Sequence, residues 1–228
     1  MAETKYVGMM FSPESIQQIV AGNKTQTRRP VKQSVIDRCC YVHEKGNSQG
    51  SYRDSYGAWV VAMGSFTYDI PAPVAKGDII YVKEAWMNNP NYLFQRSQGL
   101  NHPEHYVKSC VSAQFLEEWP RSWKSPMYMP KVAARHFLEV LDVRVERLQD
   151  ISPADAIAEG VESVGCTSNG RLWRHYGKPS LGLYNPVESY ATMYDYVNRG
   201  KNRPKWADNP LVFAIKFRYL EGCQNPFQ

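Results

Sequence analysis

The stretch Phe137 to Leu148 constrains the fold more than any other part of this chain, because it is twelve residues of β-forming sequence with no Pro or Gly to interrupt it. Leu138 and Val140 share one side-chain phase, whereas Leu141, Val143 and Val145 take the other. A regular strand keeps one phase, so the slip at Val140-Leu141 reads as a β-bulge, the device that bends a sheet toward a barrel. Such a strand needs partners. Candidates are Tyr6 to Phe11, Trp59 to Met63, the run Ile79 to Glu84 after a Gly77-Asp78 turn, and Leu211 to Leu220. In the last of these, Phe213, Phe217 and Tyr219 alternate incompletely with Lys216 and Arg218.

Three helices are punctuated in the sequence. Ser12 is an N-cap with Pro13 at the first helical position, Phe11 and Ile16 are placed to staple the start, and Ile16, Ile19 and Val20 share a face before Gly22 supplies a left-handed stop. Ser152-Pro153-Ala154-Asp155 opens a second helix that Gly160 ends. Asn185-Pro186-Val187-Glu188 repeats the device for a third, with Val187, Tyr190, Ala191, Tyr194 and Val197 at helical spacing and a stop at Gly200. The segments 31–58, 87–127 and 163–184, rich in Tyr, Trp, Asn, Gly and Ser, read as long insertions. With 228 residues, 43% hydrophobic and 13% aromatic, the expectation is a single α+β domain spanning 1–228.

Composition narrows the function classes. The net charge of +5 permits a polyanionic partner without requiring one, and the cations gather in the C-terminal half around an acidic stretch that includes Glu146, Asp155 and Glu159. Five cysteines without a CxxC pair, and five histidines without HExxH spacing, point to reduced thiols and to no metal or cofactor. No apolar run approaches the roughly 18 residues of a membrane span, and the N-terminus lacks an apolar signal segment. A cytoplasmic protein with no membrane partner is expected.

The segment Gly22 to Arg29 stands apart from this scaffold. It places three cations, Lys24, Arg28 and Arg29, and two hydroxyls, Thr25 and Thr27, in six residues. An extended chain there sets Lys24, Gln26 and Arg28 on one side and Thr25, Thr27 and Arg29 on the other. The plain alternative is a solvated basic turn ahead of Pro30.

The order of motifs resembles the ASCH domain family of the PUA-like superfamily, in the longer form common in bacteriophage and prophage genomes. The resemblance rests on Gly22 to Arg29, Gly77 to Trp86, Ser125 to Arg135, Val143 to Gly160 and Trp206 to Pro210, five motifs in sequence that span most of the chain. It implies a small PUA-like β-barrel with peripheral helices and a cleft lined by the Lys-Thr segment, in a superfamily that often binds RNA or modified bases. One branch of the family hydrolyses the acetamide of N4-acetylcytidine with a lysine, a threonine three residues on and a glutamate after the second helix region. Carried over by motif, these are Lys24, Thr27 and Glu159.

Arg28 and Arg29 destabilise a neighbouring ammonium in a dry cleft, which lowers the Lys24 pKa and makes a base of it. The Thr27 hydroxyl needs such a base before it attacks an amide carbon. Glu159, at the end of its helix, feels the negative end of the dipole, which pushes its pKa up and suits it to donate a proton to a leaving amine. Each has a plainer role: Glu159 as an exposed helix-end carboxylate, Thr27 as an ordinary strand residue. Thr25, Arg28, Arg29, Glu84, Trp86 and Arg135 are the candidate contacts for substrate or nucleic acid. Among them Glu84 is read either as a partner of Lys24 or an arginine or as an outward carboxylate, Trp86 either as a base-stacking surface or as packing, and Arg135 either as a phosphate contact or as a loop brace. The expected activity is removal of an acyl group from an N4-acetylcytidine-like nucleoside or RNA. The alternatives are a non-catalytic module gripping RNA, another single-stranded nucleic acid or a modified base, and, third, a ribonuclease.

Overall fold

The computed structural model describes residues 4–32, 48–53, 59–63, 66–70, 72–88, 105–107, 124–200 and 202–227. Along the chain the elements run β1 (Tyr6–Met10), α1 (Pro13–Val20), β2 (Gln26–Pro30), β3 (Ser48–Arg53), β4 (Trp59–Met63), β5 (Phe66–Ile70), β6 (Ile79–Lys83), β7 (Trp86–Asn88), β8 (His105–Val107), β9 (Phe137–Arg147), α2 (Pro153–Ala158), β10 (Ser163–Thr167), β11 (Gly170–Arg174), β12 (Gly182–Leu183), α3 (Pro186–Val197) and β13 (Leu211–Tyr219). This is an α+β chain. It divides into two compact units, one made of Met1–Gln17, Gly77–Glu139 and Tyr219–Gln228, the other of Gln18–Lys76 and Val140–Arg218.

In the first unit β1 runs parallel to β6, with Tyr6 opposite Ile79 and Met10 opposite Lys83, and β6 pairs antiparallel with the start of β9, where Ile80 faces Leu138. Gly8 sits beside Tyr81, and a Cβ there would fall 2.6 Å from the phenol ring, so only glycine admits this ring. Trp86, Met129, Ala134 and Phe137 form one buried cluster of the unit, with Ile79, Tyr81, Leu220 and Phe227 packed against it. Burying side chains of this size contributes about 1.5–3 kcal/mol each.

In the second unit β2 pairs antiparallel with β13, placing Thr27 opposite Ile215 and Arg28 opposite Ala214. The phase slip expected in β9 is present in its burial: Leu138 and Val140 are buried, Asp142 is exposed, and Val143 and Val145 are buried again. The core gathers Leu148, Ile151, Ala156, Val161, Trp173, Tyr190, Tyr194 and Val212. Strands β3, β4 and β5 form an antiparallel meander, and β7 pairs with β8 in the first unit. The rest of the expected insertions 31–58 and 87–127 lies mainly outside the described residues. The third, 163–184, is not loop but the antiparallel sheet β10-β11-β12, anchored by the buried Trp173.

The helix signals act as written. The Ser12 hydroxyl accepts from the Ser15 N–H, Ser152 from Asp155, and the Asn185 side chain from Val187, while Gly22 and Gly160 end their helices at φ of 75° and 87°. Two face assignments are corrected. Val20 is 50% exposed and Val197 54%, because each lies to the side of the stripe that Ile16 with Ile19, and Tyr190 with Tyr194, bury. The third helix also stops at Val197, with Asn198 rather than Gly200 at its end. Among the described residues no sheet closes on itself into a barrel, and no helix is long and apolar enough to cross a membrane.

Candidate functional site

Two backbone contacts fix the Lys-Thr segment within the second unit. The Thr25 N–H donates to the Ala158 carbonyl at 2.8 Å, and its own carbonyl accepts from the Phe217 N–H at 2.9 Å, so the chain is clamped between the end of α2 and β13. Lys24 pairs as an isolated β-bridge with Glu159. This approach depends on Gly160, which adopts a left-handed φ of 87° and whose Cβ, if present, would lie 3.0 Å from the Lys24 Cβ.

The alternation expected for an extended segment brings Lys24, Gln26 and Arg28 onto one set of acidic partners. The Lys24 Nζ donates to the Glu159 Oε2 at 2.8 Å and to the Glu159 carbonyl at 2.6 Å. Gln26 Nε2 donates to Asp155 Oδ1 at 2.6 Å. Arg28, its side chain fully buried, donates from Nε and Nη2 to Glu146 Oε1 at 2.8 and 2.6 Å, from Nη2 to Asp155 Oδ2 at 3.3 Å, and from Nη1 to Glu159 Oε1 at 3.1 Å. Arg144 closes the network from β9, reaching Glu146 Oε2 at 2.7 Å and Asp155 Oδ2 at 2.6 Å. Three carboxylates are thus each shared between donors, which is how buried charges are tolerated.

Burial lowers the Lys24 pKa; the Glu159 charge opposes this, and Arg29 and Arg28 add to it. The direction matches the sequence argument, but loss of water rather than the two arginines is the main cause. For Arg28 burial also disfavours the charge, yet Glu159 and Glu146 outweigh it and raise the pKa. Burial works against the Asp155 carboxylate as well, but the Gln26 hydrogen bond with Arg144 and Arg28 holds its pKa below the usual range. Arg29 has its pKa lowered, chiefly by burial, with Glu159 and Tyr190 opposing and Arg203 adding to the effect.

Of the three residues expected to act together, Lys24 and Glu159 meet directly and both are buried, at 5% and 3% exposure. Glu159 is therefore not the exposed helix-end carboxylate, and both its oxygens serve as acceptors for cations. Thr27 is buried on the alternate phase of β2, and its hydroxyl makes no hydrogen bond among the described residues. Thr25 is exposed. Glu84, Trp86 and Arg135 belong to the first unit. There Arg135 forms a two-pronged pair with Glu84, Nε to Oε1 at 3.0 Å and Nη2 to Oε2 at 3.2 Å, and Trp86 lies in the core with the Lys124 ammonium 4.7 Å from its ring centroid.

Sequence reasoning did not single out Gln26, Arg144, Glu146, Asp155 or Tyr190 as site residues. For Gln26 the signal was its shared phase with Lys24 and Arg28, and for Arg144 and Glu146 it was the polar phase of β9 that alternates with Val143 and Val145. Tyr190 reads in the sequence as one more apolar position of α3. It is 2% exposed, and the Arg28 guanidinium carbon lies 5.9 Å from its ring centroid. Among the described residues no group of three or more His, Cys, Asp or Glu side chains is arranged to hold a metal ion. Compared with known proteins, the chain matches no family model, no curated protein and no solved structure.

Proposed function

We propose that this chain is an ASCH-type amidohydrolase of the PUA-like superfamily that removes the acyl group from N4-acetylcytidine-like nucleosides or from RNA carrying them. The observation that carries the reading is the Lys24–Glu159 pair: a buried amine, weakened as an acid-base cation by loss of water, held 2.8 Å from a carboxylate in the same strand region as a buried threonine. In its neutral form Lys24 takes a proton from the nucleophile, which is either the Thr27 hydroxyl or a water. The nucleophile's oxygen bonds to the acyl carbon, the C–N bond breaks, and the proton held by the Lys24–Glu159 pair passes to the leaving N4 amine. Water hydrolyses the acyl group in either route, giving acetate and cytidine. The unbonded Thr27 hydroxyl favours the route through water, since no base is positioned on it.

A second reading is a non-catalytic module for RNA or a modified base. It is favoured by the self-contained character of the Arg28 network, whose carboxylates are fully occupied by Lys24, Gln26, Arg28 and Arg144, as in a structural ion-pair cluster. Turnover of N4-acetylcytidine by variants separates the routes. Lys24→Arg is expected to be inactive because guanidinium keeps its proton. Thr27→Ala is expected to retain measurable turnover if water attacks and none if the hydroxyl does. Wild-type protein that binds the nucleoside without hydrolysing it supports the binding module instead.

A further inference from the structure

Of the apolar and aromatic side chains among the described residues, Tyr128 in the first unit is the most open to solvent. It is 72% exposed, and its neighbour Met127 is 57% exposed. The turn beneath them is nonetheless firmly held. The Ser125 hydroxyl accepts from the Met127 N–H at 3.4 Å and its carbonyl from the Tyr128 N–H at 3.1 Å. Met129, 2% exposed, belongs to the Trp86 cluster, and its sulfur accepts from the Glu84 N–H at 3.1 Å. The turn that follows is stapled by Asn225, whose side-chain nitrogen lies 3.1, 2.9 and 2.7 Å from the Lys131, Val132 and Ala134 carbonyls. A backbone fixed in this way presents its exposed tyrosine with little further ordering to do on binding.

Cations gather at the same turn. The Lys83 Nζ, from β6, donates to the Met127 carbonyl at 2.7 Å. The Lys124 ammonium lies 4.7 Å from the Trp86 ring centroid and the Lys131 ammonium 4.3 Å from that of Phe227, two rings of one packed cluster. Lys124 and Lys131 are exposed, and among the described residues none of the three ammonium groups is paired with a carboxylate. Glu84, which follows Lys83, is buried and taken up by its two-pronged pair with Arg135.

We propose that this turn is a docking surface for single-stranded RNA, with the Tyr128 ring as the stacking platform for a base, Met127 beside it, and Lys83, Lys124 and Lys131 meeting the backbone phosphates. Every base offers a flat π-face to an exposed ring, and fixed ammonium groups attract the phosphates that flank it. An acidic peptide brings the charge without an obligatory ring. The choice of RNA over DNA rests on the amidohydrolase reading, whose substrate is a ribonucleoside. The surface itself rests on the geometry of the first unit and requires no turnover.

The test is fluorescence anisotropy with a short labelled RNA oligonucleotide, at salt concentrations between about 50 and 200 mM, on full-length wild type, Tyr128→Ala, Tyr128→Phe and the double variant Lys124→Gln/Lys131→Gln. Tyr128→Ala is expected to weaken binding by about 5- to 150-fold, and Tyr128→Phe, which keeps the ring, to stay within about twofold of wild type. The double variant is expected to lower the slope of log affinity against log salt by about 1.4, the loss of two phosphate contacts on a single strand. Wild-type affinity in Tyr128→Ala, or no wild-type binding at about 50 mM salt, overturns the surface. Tighter binding of a DNA oligonucleotide of equal length, or displacement by polyglutamate as effective as by unlabelled RNA, overturns RNA as its occupant. Acetate release is read separately. A wild type that binds RNA through Tyr128 but releases no acetate overturns the amidohydrolase reading and leaves the surface standing, whereas an active wild type whose RNA affinity is unchanged by Tyr128→Ala overturns the surface alone.

Discussion

Replacing Arg28 by alanine isolates what the buried network contributes to stability. The Arg28 side chain has no exposed surface and donates to Glu146, Asp155 and Glu159 at 2.6 to 3.3 Å. Removing one partner of a buried pair costs about 3–5 kcal/mol when it strands a charge. Here no carboxylate is stranded: Glu146 keeps Arg144 at 2.7 Å, Asp155 keeps Arg144 and Gln26 at 2.6 Å, and Glu159 keeps Lys24 at 2.8 Å. The expected cost is therefore at the lower end, about 3 kcal/mol. For a chain of 228 residues each kcal/mol moves Tm by about 2–4 °C, which gives a fall of about 6–12 °C in a thermal melt followed by circular dichroism. Arg28→Lys restores the charge but not the fork, and should recover only part of the loss. A cost below about 1 kcal/mol, the range of an exposed ion pair, would refute the argument that these bonds are buried and cooperative.

Two further outcomes follow from the same geometry. Gly160→Ala puts a Cβ 3.0 Å from that of Lys24 and a side chain on a φ of 87°, so it should cost about 1–3 kcal/mol by denaturant titration and lower turnover by more than the loss of folded protein explains. Asp155 has a folded-state pKa below its usual 3.8, so its stabilisation is complete above that pH and is lost as pH falls through the folded value. The stability gap between wild type and Asp155→Asn should be widest near neutrality and close in acid, and a gap independent of pH would contradict the Asp155 interactions with Gln26, Arg144 and Arg28.

Local signals in the sequence proved legible where a backbone group needed a cap or a left-handed turn. Ser12, Ser152 and Asn185 accept the N–H bonds their positions demand, and Gly22 and Gly160 take the positive φ that other residues resist. The phase slip in Phe137 to Leu148 was equally visible, because side-chain alternation is a property of the strand itself. The meeting of Lys24 with Glu159, 135 residues apart, followed only from the order of motifs. What the sequence hid was whatever depends on long-range pairing. Nothing near Asp155 announces that it will accept from Gln26 and two arginines, and Tyr190 looks like any aromatic on an apolar helix face until the Arg28 guanidinium is found 5.9 Å from its ring centroid. The segment 163–184 was hidden for a related reason: β10 is exposed at every position, so its residues carry no apolar alternation to read.

The measurement that bears most directly on the account is acetate release from N4-acetylcytidine, followed by proton NMR with purified wild type and with Lys24→Ala shown to be folded by circular dichroism. The account predicts acetate and cytidine in equal amounts from the wild type and none from Lys24→Ala, with wild-type turnover rising toward high pH through an apparent pKa below the ordinary lysine value of 10.5. No acetate from the wild type, or equal acetate from both proteins, would contradict it.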